Sequence, residues 1–366
     1  MKFSVQREVL LKPLQQIIGA VERRQVMPML GNVLLRSSET GLTMVATDLE
    51  VELLAGIDVD IESPGETTLP ARKLLDICKN LPESANLSLQ VAEGRATLSA
   101  MRSRFVLATL PAADFPVIED IRAEQRVTLA RQALKRLIER TSFAMAQQDV
   151  RYYLNGLLLH IGEGSLRAVA TDGHRLATSI ERIEIADDVV SQVIIPRKGV
   201  QELQRLLTDG DGTIEIELSA NHIRARIAEL RFTSKLVDGR FPDYDRVLPK
   251  DGDKTLRVNS EALRQGLIRT AILSSEKYRG VHLALDGQTL KIQSHNPDQE
   301  EAEEYLEVEY DGEPLEIGFN VNYLLDVLGA INSETIEIKL KDANSSALLR
   351  ASVSEDSLYV VMPMRL

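Results

Sequence analysis

The sequence predicts an α+β chain made of three copies of one domain, each an antiparallel sheet backed by two helices. Three observations lead there. The first is self-similarity at a fixed spacing. Moved 124 residues upstream, the stretch 152–177, YYLNGLLLHIGEGSLRAVATDGHRLA, sets Leu154 on Leu30, Leu158 on Leu34, Leu166 on Leu42, and Ala170-Thr171-Asp172 on Ala46-Thr47-Asp48 without a gap. Moved 124 residues downstream, Gly156 meets Gly280, Leu159 meets Leu283, Leu166 meets Leu290, and Thr171-Asp172 becomes His295-Asn296. A period this long marks a domain rather than a solenoid repeat. The second observation is length: 366 residues exceed one core and divide into three units near 120 residues each. The third is that helix-type and strand-type apolar patterns recur in the same order in each third.

In the first third, MKFSV alternates as a short strand, and REVLLKPLQQIIGAV places Val9, Leu10, Pro13, Leu14, Ile17 and Ile18 at helical spacing. Pro13, near the middle, argues against a straight helix. Strand signals follow in NVLLRSS, LTMVATD and VELLAGIDVDI, with a turn at Glu39-Thr40-Gly41. Thr68-Leu69-Pro70 announces a second helix, ARKLLDICKNL, ended by Pro82. Strands resume at NLSLQV, ATLSA and RFVLATL, and the unit closes on AADFP. The second third repeats the order: RQALKRLIERTSF as helix, then strands YLNGLLLHI, LRAVATD and RLATSIERIEI. The strand IIP leads into RKGVQELQRLL, and TIEIEL, IRARIA and RFTSKLV precede GRFPDY. The last third has helices SEALRQGLIRTAIL and NVNYLLDVLGAI, with strands LEVEY, TIEIKL, ALLRAS and LYVVMP. Polar linkers are expected at 117–127 and 245–255, giving domains at 1–120, 128–246 and 254–366.

Composition is that of a globular chain, 44% hydrophobic and 27% charged. The single cysteine, Cys78, excludes an internal disulfide and a thiolate zinc cluster, which fits a reducing cytoplasm. Its helical spacing predicts a buried packing role. The N-terminus carries charge where a signal peptide needs an apolar core, and no apolar run approaches membrane-spanning length.

Net charge is −12. The six expected helices, at 7–20, 71–81, 131–142, 197–207, 260–272 and 322–331, nevertheless hold fourteen bases against six acids, so they carry +8 and the remainder −20. In an α+β unit the helices cover one face of a continuous sheet and so share a surface. An acidic chain with a basic helical face can offer that face to a polyanion while repelling it elsewhere. On this count alone that reading stands level with the plainer one, that exposed helical faces are rich in lysine and arginine.

The segments VRYYLNGLLL, ATDGHRLA, IIPRKGVQEL, FTSKLVDGRFPDY and the terminal YVVMPMRL resemble the bacterial DNA polymerase III beta subunits, the replicative sliding clamps. The resemblance runs from Met1 to Leu366. It implies three clamp domains per chain and a head-to-tail homodimeric ring around duplex DNA, with helices lining the hole and sheets outside. It implies no enzyme activity, no cofactor and no membrane. The implied work is to slide without sequence specificity, through phosphate contacts, and to tether polymerase. The implied partners are double-stranded DNA, the DNA polymerase III catalytic subunit, the clamp loader, and other polymerases and repair proteins that dock short peptides.

Carried over residue by residue, the family's peptide pocket falls on Leu154, Thr171, Gly173, His174, Arg175, Leu176, Pro242, Arg246, Val247, Asn320, Tyr323, Ser346 and Val360, Val361, Met362, Pro363, Met364 and Arg365. The DNA contacts fall on Arg24, Arg72, Gln148, Tyr152 and Tyr153, where two tyrosines can also stack on unpaired bases. The dimer contact sets Phe105 and Leu107 against Ile272 and Leu273, and Lys73, Arg102 and Arg104 against Glu300, Glu301, Glu303 and Glu304.

Three rival readings are weaker. Asp172, His174 and Arg175 could serve acid–base chemistry, but neither other repeat keeps a histidine in step with His174, and no nucleophile or Walker motif accompanies them. The run DQEEAEEYLEVEYDGE could bind a hard cation, yet it lacks the glycine-centred loop of an EF-hand, and an acidic edge explains it better. A scaffold that never meets DNA predicts no salt-sensitive retention on DNA, and comparing circular with linear templates separates it from a ring.

Overall fold

The structure is a computed structural model that describes residues 1–22, 27–118, 121–184, 190–207, 211–354 and 356–365. Among the described residues six α-helices occur in the expected places: α1 (Arg7–Ile17), α2 (Ala71–Asn80), α3 (Arg131–Thr141), α4 (Arg197–Leu206), α5 (Ser260–Ala271) and α6 (Val321–Ala330). Each buries one stripe, such as Leu74, Leu75 and Cys78 in α2 or Val200, Leu203 and Leu206 in α4. Asn259 and Asn320 cap α5 and α6, each accepting a backbone N–H on its side-chain oxygen. Pro13 is accommodated inside α1, which ends at Ile17 and tightens into a 3₁₀ turn at Ile18–Ala20.

The repeat is visible strand for strand. Each copy places four antiparallel strands side by side ahead of its second helix, and the first and third add a short strand, Asp60–Ser63 and Glu309–Asp311, that pairs in another sheet. The four are Asn32–Ser38, Gly41–Thr47, Val51–Ile57 and Gly65–Pro70 before α2; Gly156–Gly162, Ser165–Thr171, Arg175–Arg182 and Ser191–Pro196 before α4; and Gly280–Asp286, Thr289–His295, Glu301–Glu307 and Leu315–Asn320 before α6. Their order in the sheet is the same three times: third, second, first, fourth. The acidic strand Glu301–Glu307 differs from the expected strand LEVEY. Pairing with Thr289–His295 makes a strand of EAEEYLE, and the chain breaks step at Val308 before Glu309–Asp311.

One continuous sheet was expected; among the described residues there are four. By its packing the chain divides into two compact units, Met1–Gln132 with Lys198–Leu236, and Ala133–Arg197 with Val237–Leu366. The first holds sheets of five and eight strands and the second sheets of nine and four. The boundary cuts through the second repeat because its strands ladder with both neighbours. Leu230–Lys235 pairs with Val51–Ile57 of the first repeat, and Arg175–Arg182 pairs with Ser357–Val361 of the third. The large sheets are therefore shared between copies. Cys78 is fully buried, and burial pushes its thiol up to about 11, so it packs rather than reacts.

Candidate functional site

The stretch 171–175 is a loop with its own hydrogen-bond logic. Asp172 accepts the N–H groups of His174 (2.9 Å) and Arg175 (3.0 Å) on Oδ1, and the Thr171 hydroxyl donates to the Arg175 carbonyl (2.6 Å). Gly173 sits at φ +88°, and a Cβ there would come within 3.1 Å of the Arg151 guanidinium. The same device occurs in the other copies. Asp48 caps Glu50 and Val51 (2.9 and 2.8 Å), with Leu49 at φ +77°, and Asn296 caps Asp298 and Glu300 (3.0 and 3.1 Å). A short polar side chain that satisfies the loop's own donors is why Asp, Asp and Asn stand at these positions.

Arg175 is the hub. Its guanidinium donates to Asp172 (3.1 Å), to the Phe143 carbonyl (3.0 Å) and to Asp326 on α6, and lies between the rings of Phe143 (5.4 Å) and Tyr323 (4.6 Å). Its side chain is 12% exposed. All three forks are thus engaged within the chain. The exposed ring beside it is His174, stacked on Tyr323 at 6.4 Å and 22°. Burial pushes the Tyr323 hydroxyl up, with Asp172 adding to the effect.

The C-terminal segment completes one wall. Val360 pairs with Leu176 and Val361 with Arg175, and the Met362 N–H donates to the His174 carbonyl (2.9 Å). Beyond that, Met364 bridges to Gly318 on the edge strand leading to Asn320, whose side chain also reaches the Tyr278 carbonyl (3.4 Å). Leu176 and Val360 belong to a buried cluster with Leu158, Val169, Ile194, Phe241 and Tyr244, and Leu348, next but one to Ser346, packs on it. Pro242, Arg246 and Val247 follow on the surface.

Of the carried-over pocket residues, direct contacts join Thr171, His174, Arg175, Leu176, Tyr323, Val360, Val361 and Met362. Leu154, Leu176, Val360 and Val361 are buried at 0–2% exposure, and of these Leu176 and Val360 pack in one cluster. Thr171, Gly173 and Arg175 shape the loop. His174, Pro242, Val247 (45% exposed) and Met362 (44%) offer open surface, with Tyr323 and Asn320 half-buried beside them. Asp172, His174 and Arg175 do not converge on one reacting atom, because the carboxylate is spent on the loop and on Arg175.

Of the residues carried over for DNA, Arg24 lies outside the described residues. Arg72 is exposed on α2. Gln148 stands at φ +58° in a loop pinned by mutual bonds between Asp149 and Asn155 (2.9 and 2.8 Å). The tyrosines differ. Tyr152 is 58% exposed, whereas Tyr153 packs on the Phe241–Tyr244 cluster, and their rings meet edge to face at 5.9 Å. Sequence reasoning passed over Val150, 95% exposed at the loop tip, and Arg151, whose guanidinium holds the Asp149 carboxyl down to about 2.

Most of the residues carried over for the dimer lie on or beside two open strand edges, and the others on or at the ends of helices. Phe105, Leu107 and Arg104 are on Ser103–Ala108, the last strand of the five-stranded sheet, with Arg102 in the preceding turn and Lys73 exposed on α2. Glu301, Glu303 and Glu304 are on Glu301–Glu307, the last strand of the four-stranded sheet, with Glu300 just before it. Ile272, at the end of α5, is 73% exposed, and Leu273 follows it half-buried. The acids are not all free: Glu304 pairs with Arg269 (2.8 Å), Glu303 with Lys291 (2.8 Å), and Glu300 accepts from Asn296 (2.6 Å).

Comparison with known proteins gives one answer along the whole chain. Family models of the DNA polymerase III beta subunit match residues 1–119 as its N-terminal domain, 128–243 as its central domain and 245–365 as its C-terminal domain. The beta sliding clamp of Pseudomonas putida is 56% identical and that of Escherichia coli 51%, each over all of both chains. The crystal structure of the DNA polymerase III subunit beta from Pseudomonas aeruginosa matches at TM-score 0.98 and 55% identity over all of both chains. That of Caulobacter crescentus pol III beta matches at 0.95 and 38%, with the same coverage. The fold, the threefold repeat and these relatives together make this chain a member of the DNA polymerase III beta-subunit family, the sliding clamps.

Proposed function

We propose that two copies of this chain close head to tail into a ring that encircles duplex DNA, slides along it, and holds the polymerase through the pocket around His174. As a beta subunit the protein is the non-catalytic processivity component of its polymerase. The observation that carries the ring is a pairing made twice within the chain and left open once. The last strand of the second repeat ladders onto the third strand of the first, with Phe232 opposite Leu53; that of the third ladders onto the second, with Tyr359 opposite Ala177. Following the ladders across each sheet, Phe105 is the first repeat's counterpart of Phe232 and Tyr359. Ala302, opposite Ser294, is the third repeat's counterpart of Leu53 and Ala177, opposite Ala46 and Ala170.

The same pairing between copies puts Phe105 opposite Ala302 and Arg104 opposite Glu303. Phe232 and Tyr359 are buried at 0% and 1%, while Phe105 stays half-buried on its open edge and Val106 beside it is 42% exposed. Unpaired edges of this kind invite a partner strand, and the opposite charges set its register. The contact is heterologous, and two copies close it.

DNA is then met by backbone-directed cations such as Arg72 and by the Gln148–Tyr152 loop. The pocket takes short apolar peptides from the polymerase catalytic subunit, the clamp loader and other polymerases and repair proteins, in the cytoplasm where the chromosome is copied. The deciding experiment loads the protein on circular and linear duplexes with the loader. Retention on closed circles with rapid loss from free ends is expected; equal loss from both would overturn the ring.

A further inference from the structure

The third repeat has its own opening at the place where the second repeat has its pocket. A cavity of about 390 Å³ is lined by Ser275, Tyr278, Gly280, His282, His295, Asn296, Pro297, Met364 and Arg365. At the spacing of 124 residues, Tyr278, Gly280, His282, His295, Asn296 and Pro297 are the counterparts of Leu154, Gly156, Leu158, Thr171, Asp172 and Gly173. The cavity thus sits behind the third Asx-capped loop. The first repeat is closed at the same place, where Thr47 is 1% exposed and the Asp48 side chain pairs with Lys198.

Two of the lining residues, Met364 and Arg365, also belong to the peptide pocket. The bridge from Met364 to Gly318 fixes that segment on an edge strand, with Met364 and Arg365 in the cavity lining. Asn320 links the two sides as well, lying in the pocket and bonding the Tyr278 carbonyl at 3.4 Å. The lining is mostly ring and thioether surface: His282 and His295 stack at 6.3 Å and 15°, with Tyr278, Pro297 and Met364 around them. Arg365, exposed, is the one formal charge in the lining. A space of this size with aromatic walls and a cation at the mouth fits one aromatic side chain followed by a carboxylate.

We infer that the cavity is an extension of the peptide pocket, taking an aromatic residue with an adjacent acidic residue from the flank of a docked peptide, past Met364 and Arg365. The inference rests on the pocket reading given above. It separates partners that share a core motif: those carrying the flanking aromatic–acidic pair hold on longer.

The test uses the full-length protein and three synthetic probes in fluorescence anisotropy. One is an apolar pentapeptide of leucine and phenylalanine with one polar residue. The other probes carry Phe-Asp added at either end. One extended probe is expected to bind roughly tenfold tighter than the core. Pro297→Trp, which fills the cavity from an exposed loop, should erase that gain and leave core binding unchanged; His282→Ala should reduce it. No gain from either extension, or a gain that survives Pro297→Trp, would overturn the inference. Failure of the core probe itself would overturn the pocket reading and this inference with it. A gain in affinity on deleting Leu366 alone would show that the chain's own terminus fills the cavity, which also overturns it. A change in dimer sedimentation from Pro297→Trp with no change in peptide binding would assign the cavity to the second copy instead.

Discussion

At the scale of single residues, the most consequential side chain is Arg175. It resembles a ligand-binding arginine in sequence, yet its guanidinium is committed to Asp172, Asp326 and the Phe143 carbonyl and held between two rings. It positions His174 and Tyr323 rather than greeting a peptide. Arg175→Ala is expected to cost about 3 kcal/mol of stability, since it strands Asp172 and Asp326. Peptide affinity should fall tenfold or more while dimer sedimentation stays the same. Arg175→Lys should recover little, because an ammonium cannot fork. A wild-type melting curve for Arg175→Ala would show that its bonds to Asp172, Asp326 and Phe143 add no stability. None of this was legible beforehand: DGHR states which groups are present, but the partners that use them, Phe143 and Asp326, lie 32 and 151 residues away.

At the scale of elements, an ion cluster around one buried glutamate ties three strands of the third repeat. Glu337, 5% exposed on Thr335–Leu340, accepts from Arg257 (3.0 and 3.2 Å) on one side and Arg350 (2.7 and 3.0 Å) on the other. Burial raises its carboxyl, but Arg350 and then Arg257 outweigh that and hold it below the usual glutamate range. The folded value being the lower one, the stabilisation is present above the ordinary glutamate value and fades as pH falls through the folded one. Glu337→Gln should therefore lower the melting temperature at neutral pH, for a loss of about 2 kcal/mol, and the gap to wild type should narrow in acid. A gap that does not change with pH would place the effect in packing.

The six helices were readable because each repeats its apolar residues at 3.6 and ends near a proline, asparagine or polar run. Glu301–Glu307 was not, since a strand with four glutamates shows no alternation to read. Its neighbour Thr289–His295 makes it a strand, and that neighbour becomes visible only through the 124-residue offset.

At the scale of the whole molecule, the open edges decide assembly. Ile272→Ala with Leu273→Ala should give monomers in sedimentation, and a surviving dimer would move the interface elsewhere. Arg104→Glu should weaken the dimer a few-fold and Glu303→Lys restore part of that in the double variant, as cross-strand charges worth about 0.5–1 kcal/mol allow. Additive losses would show that the two side chains do not face each other. Deleting Met362 to Leu366 should abolish peptide binding and leave the dimer intact. Three domains could be counted from the sequence because the offset is regular. That the second shares its sheets with both neighbours could not, because edge pairing is carried by backbone groups that every residue possesses.

The shared sheets also set how such a ring can be breached. Six seams of one geometry run around the proposed dimer: four within chains, of the Phe232–Leu53 and Tyr359–Ala177 kind, and two between them. A within-chain seam that frays is rejoined by halves already tethered through a short linker, at millimolar effective concentration. A seam between copies has no tether and relies on its own contacts once parted. In the proposed ring the six seams would be unequal in recapture, so a loader that spread it would gain a lasting gap only at Ser103–Ala108 against Glu301–Glu307. In that ring the acidic third-repeat edge would be gate as well as clasp.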